Sequence, residues 1–256
     1  MEIYKLIPPE PLTEEEKKSP YAEIYDLPIH DPAPEILENF MPGKTMDPAK
    51  AFPVTELERL FTPGAMEQEN GYCLLPDGTG FSTVHVKMPN ATPEMEAIWS
   101  AGWLTESDVN YKVWFPGFHI SHQMPVIEDL GWGRGIVDFA CPLILPKLLS
   151  APPEQLDPNF IGFSGCSGYF TLLDNPEDKC CQTIANCMRK TPDGSLEEQT
   201  IVWFGTHYID GKAIKMLPDG EMADIERVRL FGCHNAWENT RKGEILPLIA
   251  EIKKSL

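Results

Sequence analysis

The sequence is poor in basic residues, and this shortage excludes two classes of partner. Lys and Arg together number 21, against 39 Asp and Glu, so the formal net charge is −18. Because such a chain repels phosphate backbones and anionic membrane surfaces, neither a nucleic acid nor a membrane is expected as a partner. The sequence also has no run of about 18 apolar residues, so no transmembrane helix is predicted.

Motifs of several enzyme classes are missing as well. There is no Gly-rich phosphate loop and no Gly-x-Ser-x-Gly turn, so nucleotide-dependent and serine-hydrolase chemistry are not expected. The seven cysteines are odd in number, none has Cys-x-x-Cys spacing, and Cys180 and Cys181 are adjacent. This arrangement favours reduced thiols over a disulfide framework. The first residues lack a charged segment followed by an apolar one, so we expect no export signal and predict a cytoplasmic protein.

Proline divides the chain into two parts. Many of the 25 prolines fall early, and between them lie short helical patterns at 13–18, 34–40 and 54–61. In the last of these, Thr55 is predicted to cap the helix, with Glu58 placed to complete a capping box. We predict that residues 1–80 form a proline-rich arm or small helical subdomain, and that residues 81–256 form the main domain.

The main domain has the pattern of an antiparallel sheet followed by one long helix. Strand patterns lie at 81–87, 110–115, 135–145, 160–172, 183–189 and 199–208, and a short helix is predicted at 92–103. Asp193-Gly194 and Asp210-Gly211 are typical of hairpin turns. Residues 222–256 predict a helix that Pro247 should kink or break. This order predicts an α+β fold, with a curved antiparallel sheet wrapped around the C-terminal helix and a ligand cavity between them.

His234 and Glu238 form the first candidate site. Four positions apart on the predicted helix, their side chains lie one above the other on the same face. At that spacing an imidazole nitrogen and a carboxylate oxygen can reach one divalent metal. Zinc suits such ligands and keeps a position open for water or substrate, and manganese or iron would also accept them.

A second polar cluster contains Tyr111, His119, His122 and Glu128. Tyr111 is predicted to lie on a strand, and the turn after it should present His119 from a loop. Glu128 lies in an apolar run, where a carboxylate must be paired, bound to a metal or exposed, because burying it alone is costly. A metal held by two His and two carboxylates would favour hydrolysis over a structural role.

These residues stand in motifs that resemble the family of 2,4-diacetylphloroglucinol and phloretin hydrolases. The likeness covers roughly residues 80–256 and rests on four motifs in the same order. They are Tyr-Lys-x-Trp-x-Pro-x-x-His at 111–119, Val-Ile-Glu-Asp-Leu-Gly at 126–131, Val-Trp-Phe-Gly at 202–205, and His-x-x-x-Glu followed by Leu-Pro at 234–247.

The resemblance implies a fold, an activity and a set of site residues. The fold would be a helix-grip (Bet v1-like) catalytic domain. The activity would be hydrolysis of the carbon–carbon bond between an acyl group and a phloroglucinol-type ring, in a small phenolic ketone. One zinc ion per chain, or another divalent metal, would be bound by His119, Glu128, His234 and Glu238. Tyr111 would hydrogen-bond the substrate.

The sequence departs from the family in two places. His122 stands where the family commonly has Asn, and an imidazole there would change substrate recognition or lie near the metal. The interval from His119 to Glu128 is shorter than the family leads us to expect, so Glu154 is an alternative fourth ligand.

The expected reaction gives roles to three further side chains. Water made more acidic by the metal should attack the acyl carbon, and cleavage should leave a ring carbanion delocalised onto the phenolic oxygens. Tyr111 and His122 are predicted to hold those oxygens and relay protons, and His207 is a further candidate acid or base.

Other interpretations are open at this point. A non-catalytic helix-grip carrier of an apolar ligand would need the cavity but no metal, and a metal hydrolase for a different acyl substrate would use the same ligands. The arm would cover the pocket or make dimer contacts, so a homo-oligomer is compatible with the sequence.

Overall fold

The fold is an α+β arrangement built on one large antiparallel sheet. A computed structural model describes residues 3–62, 64, 66–123, 125–143 and 157–256, with the backbone alone at 138–141. The strands are β1 (Gly71–Leu74), β2 (Gly80–Met88), β3 (His119–Ser121), β4 (Val126–Asp129), β5 (Arg134–Pro142), β6 (Phe160–Leu172), β7 (Asn175–Lys190), β8 (Leu196–Phe204), β9 (Thr206–Ile209) and β10 (Lys212–Lys215). Strands β1 to β8 form the sheet in the order β1-β2-β8-β7-β6-β5-β4-β3, and β9 pairs with β10 in a separate hairpin.

The helices are short apart from the last one. The described ranges contain α1 (Ala22–Tyr25), α2 (Pro34–Leu37), α3 (Pro93–Ser100), α4 (Asp108–Trp114) and α5 (Ile225–Ser255), with 3-10 turns at Glu16–Lys18, Glu38–Phe40, Pro48–Lys50, Val54–Phe61 and Trp103–Thr105. The 31 residues of α5 begin after Asp224, whose side chain accepts hydrogen bonds from the N–H groups of Glu226 and Arg227. Within the described part of the chain, no helix combines the length and apolar character needed to cross a bilayer.

Helix α5 packs closely against β2 and against the N-terminal residues. A Cβ atom at Gly80 of β2 would lie 2.4 Å from Val228 Cγ2, and one at Gly232 would lie 2.3 Å from Phe40 Cε1. Both distances are far inside van der Waals contact, so only glycine allows the helix to approach so closely on these two sides.

The first 80 residues contribute to the cores on both faces of the sheet. Along β8, Val202 and Phe204 belong to the core that contains α5, whereas Ile201 and Trp203 belong to a second core on the opposite face. From the N-terminal segment, Tyr4, Ile24, Ile36 and Phe40 join the first core, and Phe52, Val54, Leu57 and Leu60 join the second. The segment therefore packs as an integral cover, and the predicted domain boundary after residue 80 stays a prediction.

The strand predicted for residues 110–115 is wrong, because these residues belong to α4. The Ser107 side chain caps this helix by accepting a hydrogen bond from the N–H of Asn110 at 3.2 Å. Tyr111 lies in a segment whose apolar residues alternate as in a strand, yet the cap and the burial of Val109, Asn110, Tyr111 and Val113 favour the helix. His119, predicted on a loop, is the first residue of β3.

The predicted start of one helix is wrong, and of the two outcomes predicted at Pro247, a kink or a break, the break does not occur. The 3-10 helix Val54–Phe61 starts after Pro53 and has no side-chain cap, so Thr55 does not begin it. Pro247 does not break α5, which continues to Ser255. Proline inside a helix costs about 3 kcal/mol, and full burial of the neighbouring Ile245, Leu246 and Ile249 offsets that cost.

Several strand and turn predictions are confirmed. The predicted strand at 160–172 coincides with β6, and the two Asp-Gly turns connect β7 to β8 and β9 to β10. The segment at 199–208 is divided between β8 and β9, because Gly205 has a φ of 74° and turns the chain. The last residues predicted for the strand at 135–145 lie outside the described ranges.

Candidate metal centre and cavity

His119, His234 and Glu238 lie together in the core, and all three are buried. Their potential ligand atoms are all within 4.8 Å of one another. Nε2 of His119 lies 3.3 Å, and Nε2 of His234 lies 3.4 Å, from the same Oε2 atom of Glu238. Strand β3 thus places one imidazole against the His–Glu pair that α5 presents on a single face.

Glu238 carries a negative charge in this buried position. Burial disfavours its ionised form, but the imidazoles of His234 and His119 outweigh that effect and lower the pKa of the carboxyl to about 2. At neutral pH the group therefore presents an anionic oxygen between two imidazole nitrogens.

Each imidazole is oriented by its other ring nitrogen. His119 Nδ1 lies 3.2 Å from the carbonyl oxygen of Tyr111, and since a carbonyl only accepts, this nitrogen carries a proton. His234 Nδ1 lies 3.1 Å from the Tyr4 hydroxyl, which donates in turn to the carbonyl of Leu130 at 3.4 Å. Both rings therefore direct Nε2 toward Glu238, the arrangement that metal-binding histidines usually adopt.

Aromatic rings surround the centre. The rings of Phe115, Phe118 and Phe231 have centroids 5.0, 5.5 and 5.8 Å from that of His234. Such an apolar shell limits water access and lowers the local dielectric, which strengthens charge interactions inside it.

Glu128 and Tyr111 lie next to this group. Glu128 on β4 is the register partner of His119 on β3, and its carboxylate accepts a hydrogen bond from the Tyr111 hydroxyl. The Tyr111 ring stacks on His119 with a centroid distance of 4.1 Å. Burial, followed by the charge of Glu128, raises the pKa of Tyr111 well above its usual value, so its phenol stays a neutral donor. The Glu128 carboxylate is outside the three-residue group, and its role as fourth ligand stays a prediction.

The remaining predicted site residues are spread more widely. His122 follows β3, lines the same cavity, and has its ring 5.0 Å from that of Tyr111; burial and then His119 lower its pKa. His207 lies on β9 with Nδ1 2.8 Å from Ser167 Oγ and is not among the described residues that line the cavity. Glu154 lies outside the described residues.

A cavity of about 520 Å³ lies between α5 and the sheet; His234 and Glu238 line it, whereas His119 is not among its described lining residues. This volume is typical of a small-molecule site. The helix wall consists of Phe231, His234, Asn235, Glu238, Asn239 and Lys242, and the β7 wall consists of Gln182, Ile184, Asn186 and Met188. Spacings of three and four on the helix and of two on the strand place each set on one face.

Two amide side chains in these walls have unused donors. Nε2 of Gln182 and Nδ2 of Asn235 have no hydrogen-bond partner among the residues that the structure describes. Each residue is only 2% exposed. Buried amide donors are normally paired, so an unpaired one in a cavity wall calls for an explanation.

One helical turn after Glu238 along α5, the cavity lining includes a buried cluster of charges. Lys242 Nζ lies 2.9 Å from Glu198 and 3.0 Å from Glu96, and all three residues are at most 4% exposed. One ammonium group faces two carboxylates, and burial raises the pKa of Glu198 even though Lys242 opposes that shift.

Sequence reasoning missed several of these residues. The helix face that carries His234 also carries Asn235 and Lys242. The helical spacing could therefore have predicted that these two residues line the cavity beside His234. Nothing local indicated Tyr4, because its contact with His234 spans 230 positions.

Comparison with known proteins agrees with the motifs. Residues 52–134 match the family model described as the DAPG hydrolase PhiG domain. The phloretin hydrolase of Eubacterium ramulus is 26% identical over 94% of this chain and 93% of its own length. Two 2,4-diacetylphloroglucinol hydrolases are also similar. The enzyme of Pseudomonas protegens is 22% identical over 90% of this chain and 83% of its own length. The enzyme of a Pseudomonas species is 24% identical over 90% of this chain and 87% of its own length.

These matches confirm the predicted enzyme class, which is that of a hydrolase. Within that class, the chain is related to the family of 2,4-diacetylphloroglucinol and phloretin hydrolases, as its motifs predicted.

Proposed function

We propose that this protein is a metal-dependent hydrolase that cleaves the bond between an acyl group and a phloroglucinol-type ring, or a related 1,3-diketone. The observation that carries the proposal is the buried group of His119, His234 and Glu238, of which His234 and Glu238 line a cavity of about 520 Å³. The names of the relatives supply the class of substrate.

The residues present fit a divalent metal such as zinc. Two imidazoles oriented through Nδ1, one ionised carboxylate and an apolar shell are the features expected of such a site. His119, His234 and Glu238 would hold the ion, with Glu128 as a fourth ligand if Tyr111 releases it. A bound divalent ion supplies a Lewis acid, which stabilises negative charge on oxygen and increases the acidity of water.

The neighbouring side chains provide for the proton transfers. Hydrolysis adds OH from water to the acyl carbon, breaks the ring–acyl bond with its electron pair going to the ring, and returns a proton to the ring carbon. Tyr111 remains protonated beside Glu128 and can donate a hydrogen bond to a substrate oxygen. His122 lies near it with a lowered pKa, so it is neutral at pH 7 and able to accept a proton.

The placement of α5 supports a more specific fold assignment. A long C-terminal helix beside an antiparallel sheet, with the cavity between them, is the arrangement of a helix-grip domain. We infer that β2 to β8 and α5 form this domain and that residues 1–80 cover it.

Metal analysis combined with an activity assay tests the proposed function. Protein purified without chelators should contain about one divalent ion per chain. It should convert an acylphloroglucinol to phloroglucinol and a carboxylic acid, and this activity should disappear on chelation and return with zinc. A metal-free protein that binds the ketone without cleaving it would contradict the proposal and favour the carrier.

Removal of the Tyr4 hydroxyl should weaken metal binding. The Tyr4→Phe variant keeps the ring contacts with Phe118 and Trp237, at 5.6 and 5.3 Å between centroids, but loses the partner of His234 Nδ1. Loss of such an outer-shell partner typically costs about 10- to 100-fold in metal affinity, which competition with a chelating dye would measure.

A second tyrosine of the arm provides the control. The Tyr25 hydroxyl donates to the carbonyl of Glu10 at 2.8 Å, within the arm itself, so Tyr25→Phe should leave zinc affinity unchanged. Equal affinities for wild type and Tyr4→Phe would show that Tyr4 does not orient His234.

A further inference from the structure

The unpaired amides of Gln182 and Asn235 point to substrate recognition. We infer that these two side chains bind oxygen atoms of the phenolic ring, from opposite walls of the cavity. The inference rests on the proposed function, and it adds a requirement on the substrate, which is a ring with at least two oxygen substituents.

The placement of the two amides follows from register and helix spacing. Gln182 on β7 pairs with Phe204 on β8, and the Phe204 ring contacts that of Phe231 at 5.4 Å between centroids. Asn235 lies one helical turn after Phe231 and directly follows His234. The donors therefore come from the sheet wall and from the helix wall, at the part of the cavity that adjoins the metal centre.

The unpaired N–H donors of both amides favour a ligand role over a structural one. A structural amide in a core makes its hydrogen bonds within the protein, as Asn239 does when its Nδ2 donates to Thr200 Oγ1 at 2.8 Å. Asn239 lies on the same helix face, one turn beyond Asn235. Donors left unpaired at 2% exposure destabilise the ligand-free fold, and a ligand with acceptor oxygens removes that cost.

The chemistry of the donors suits a phenolic ring. When the ring–acyl bond breaks, negative charge spreads onto the ring oxygens, and a hydrogen bond to a charged acceptor is stronger than one to a neutral acceptor. Neutral amides can stabilise that charge by hydrogen bonds. A Lys or Arg at either position would instead form an ion pair with Glu238. One amide on each wall requires two oxygens at separate positions of the ring.

In ligand-free protein, leucine substitutions should change the Tm in opposite directions for an amide that binds ligand and an amide that is structural. Gln182→Leu and Asn235→Leu remove an unpaired buried donor, so each should raise the Tm by about 3 °C. Asn239→Leu removes a paired amide and should lower the Tm. A fall in Tm for both Gln182→Leu and Asn235→Leu would mean that these amides are structural, which would overturn the inference.

Calorimetric titration of zinc-loaded protein with phloroglucinol and phenol then measures recognition. Wild type should bind phloroglucinol more tightly than phenol. Each of Gln182→Leu and Asn235→Leu should weaken phloroglucinol binding about tenfold, which corresponds to one lost hydrogen bond to a charged or polarised oxygen. Phenol binding should change less in the same variants.

The outcomes separate this inference from the proposed function, because binding of phloroglucinol requires no cleavage. If the variants bind phloroglucinol as wild type does, the inference is wrong even if the enzyme hydrolyses acylphloroglucinols. If the binding losses occur but wild type cleaves no acylphloroglucinol, the recognition site stands and the proposed hydrolysis fails.

Discussion

Substitution of Glu238 by Gln should lower kcat/KM for acylphloroglucinol hydrolysis about 10³-fold, because a Lewis acid contributes several kcal/mol to charge stabilisation and each 1.4 kcal/mol is tenfold. The amide keeps the size of the side chain but removes the anionic oxygen that lies 3.3 and 3.4 Å from the two imidazoles. Metal content by elemental analysis and steady-state kinetics on the same preparations would check this result.

The same helix offers a matched control. Glu244 Oε1 lies 2.8 Å from Nδ1 of His30, so it also forms a His–Glu pair, but this pair is at the surface and away from the cavity. Glu244→Gln should keep both metal content and activity. A Glu238→Gln enzyme with full metal content and wild-type kcat/KM would show that the buried group is not the metal site.

Substitution of Lys242 by Met should be the most destabilising single change in the cavity wall, with a loss of about 3–5 kcal/mol in the free energy of unfolding at neutral pH. The variant leaves the carboxyls of Glu96 and Glu198 buried together without their cation. Urea unfolding at two pH values would measure both the loss and its cause.

The pH dependence identifies the cause. Burial raises the pKa of Glu198 in the folded protein, whereas in the unfolded chain a Glu titrates near pH 4.3. Below that pH the Glu198 carboxyl is protonated in both the folded and the unfolded variant, so loss of the Lys242 cation costs little. As pH rises, the folded variant must either keep this carboxyl protonated or bury its negative charge, and the free energy of unfolding falls. Adding Glu198→Gln to Lys242→Met should restore part of the stability at pH 7.5. A loss of equal size at pH 4.5 and pH 7.5 would contradict this account.

The sequence predicted the face of α5 that carries His234 and Glu238, because a four-residue spacing on a long helix is a local property. His119 was a candidate through the polar cluster at 111–128 and then through the family motif, but its approach to Glu238 depends on β3 lying beside α5, which no local pattern specifies. The strand predicted at Tyr111 failed for the same kind of reason. Its alternating apolar residues are compatible with a strand and with a helix. The hydrogen bond by which Ser107 caps α4, together with tertiary burial, stabilises the helix.

The fold was predictable to the level of an antiparallel sheet followed by one helix, since hairpin turns and apolar alternation are encoded locally. The arrangement of residues 1–80 was not. Prolines and short helical patterns indicate an irregular segment, but the division of its apolar residues between two cores depends on the shape of the sheet that they cover.

The hydrogen bond between Tyr4 and His234 also has a consequence for synthesis of the protein. His234 is the 230th residue that a ribosome adds after Tyr4, so Tyr4 lacks this partner for most of translation. Contacts of such long sequence separation form late and slow down folding. Tyr4 must therefore stay without its α5 partner until that helix emerges, and the group of His119, His234 and Glu238 can form only late in folding.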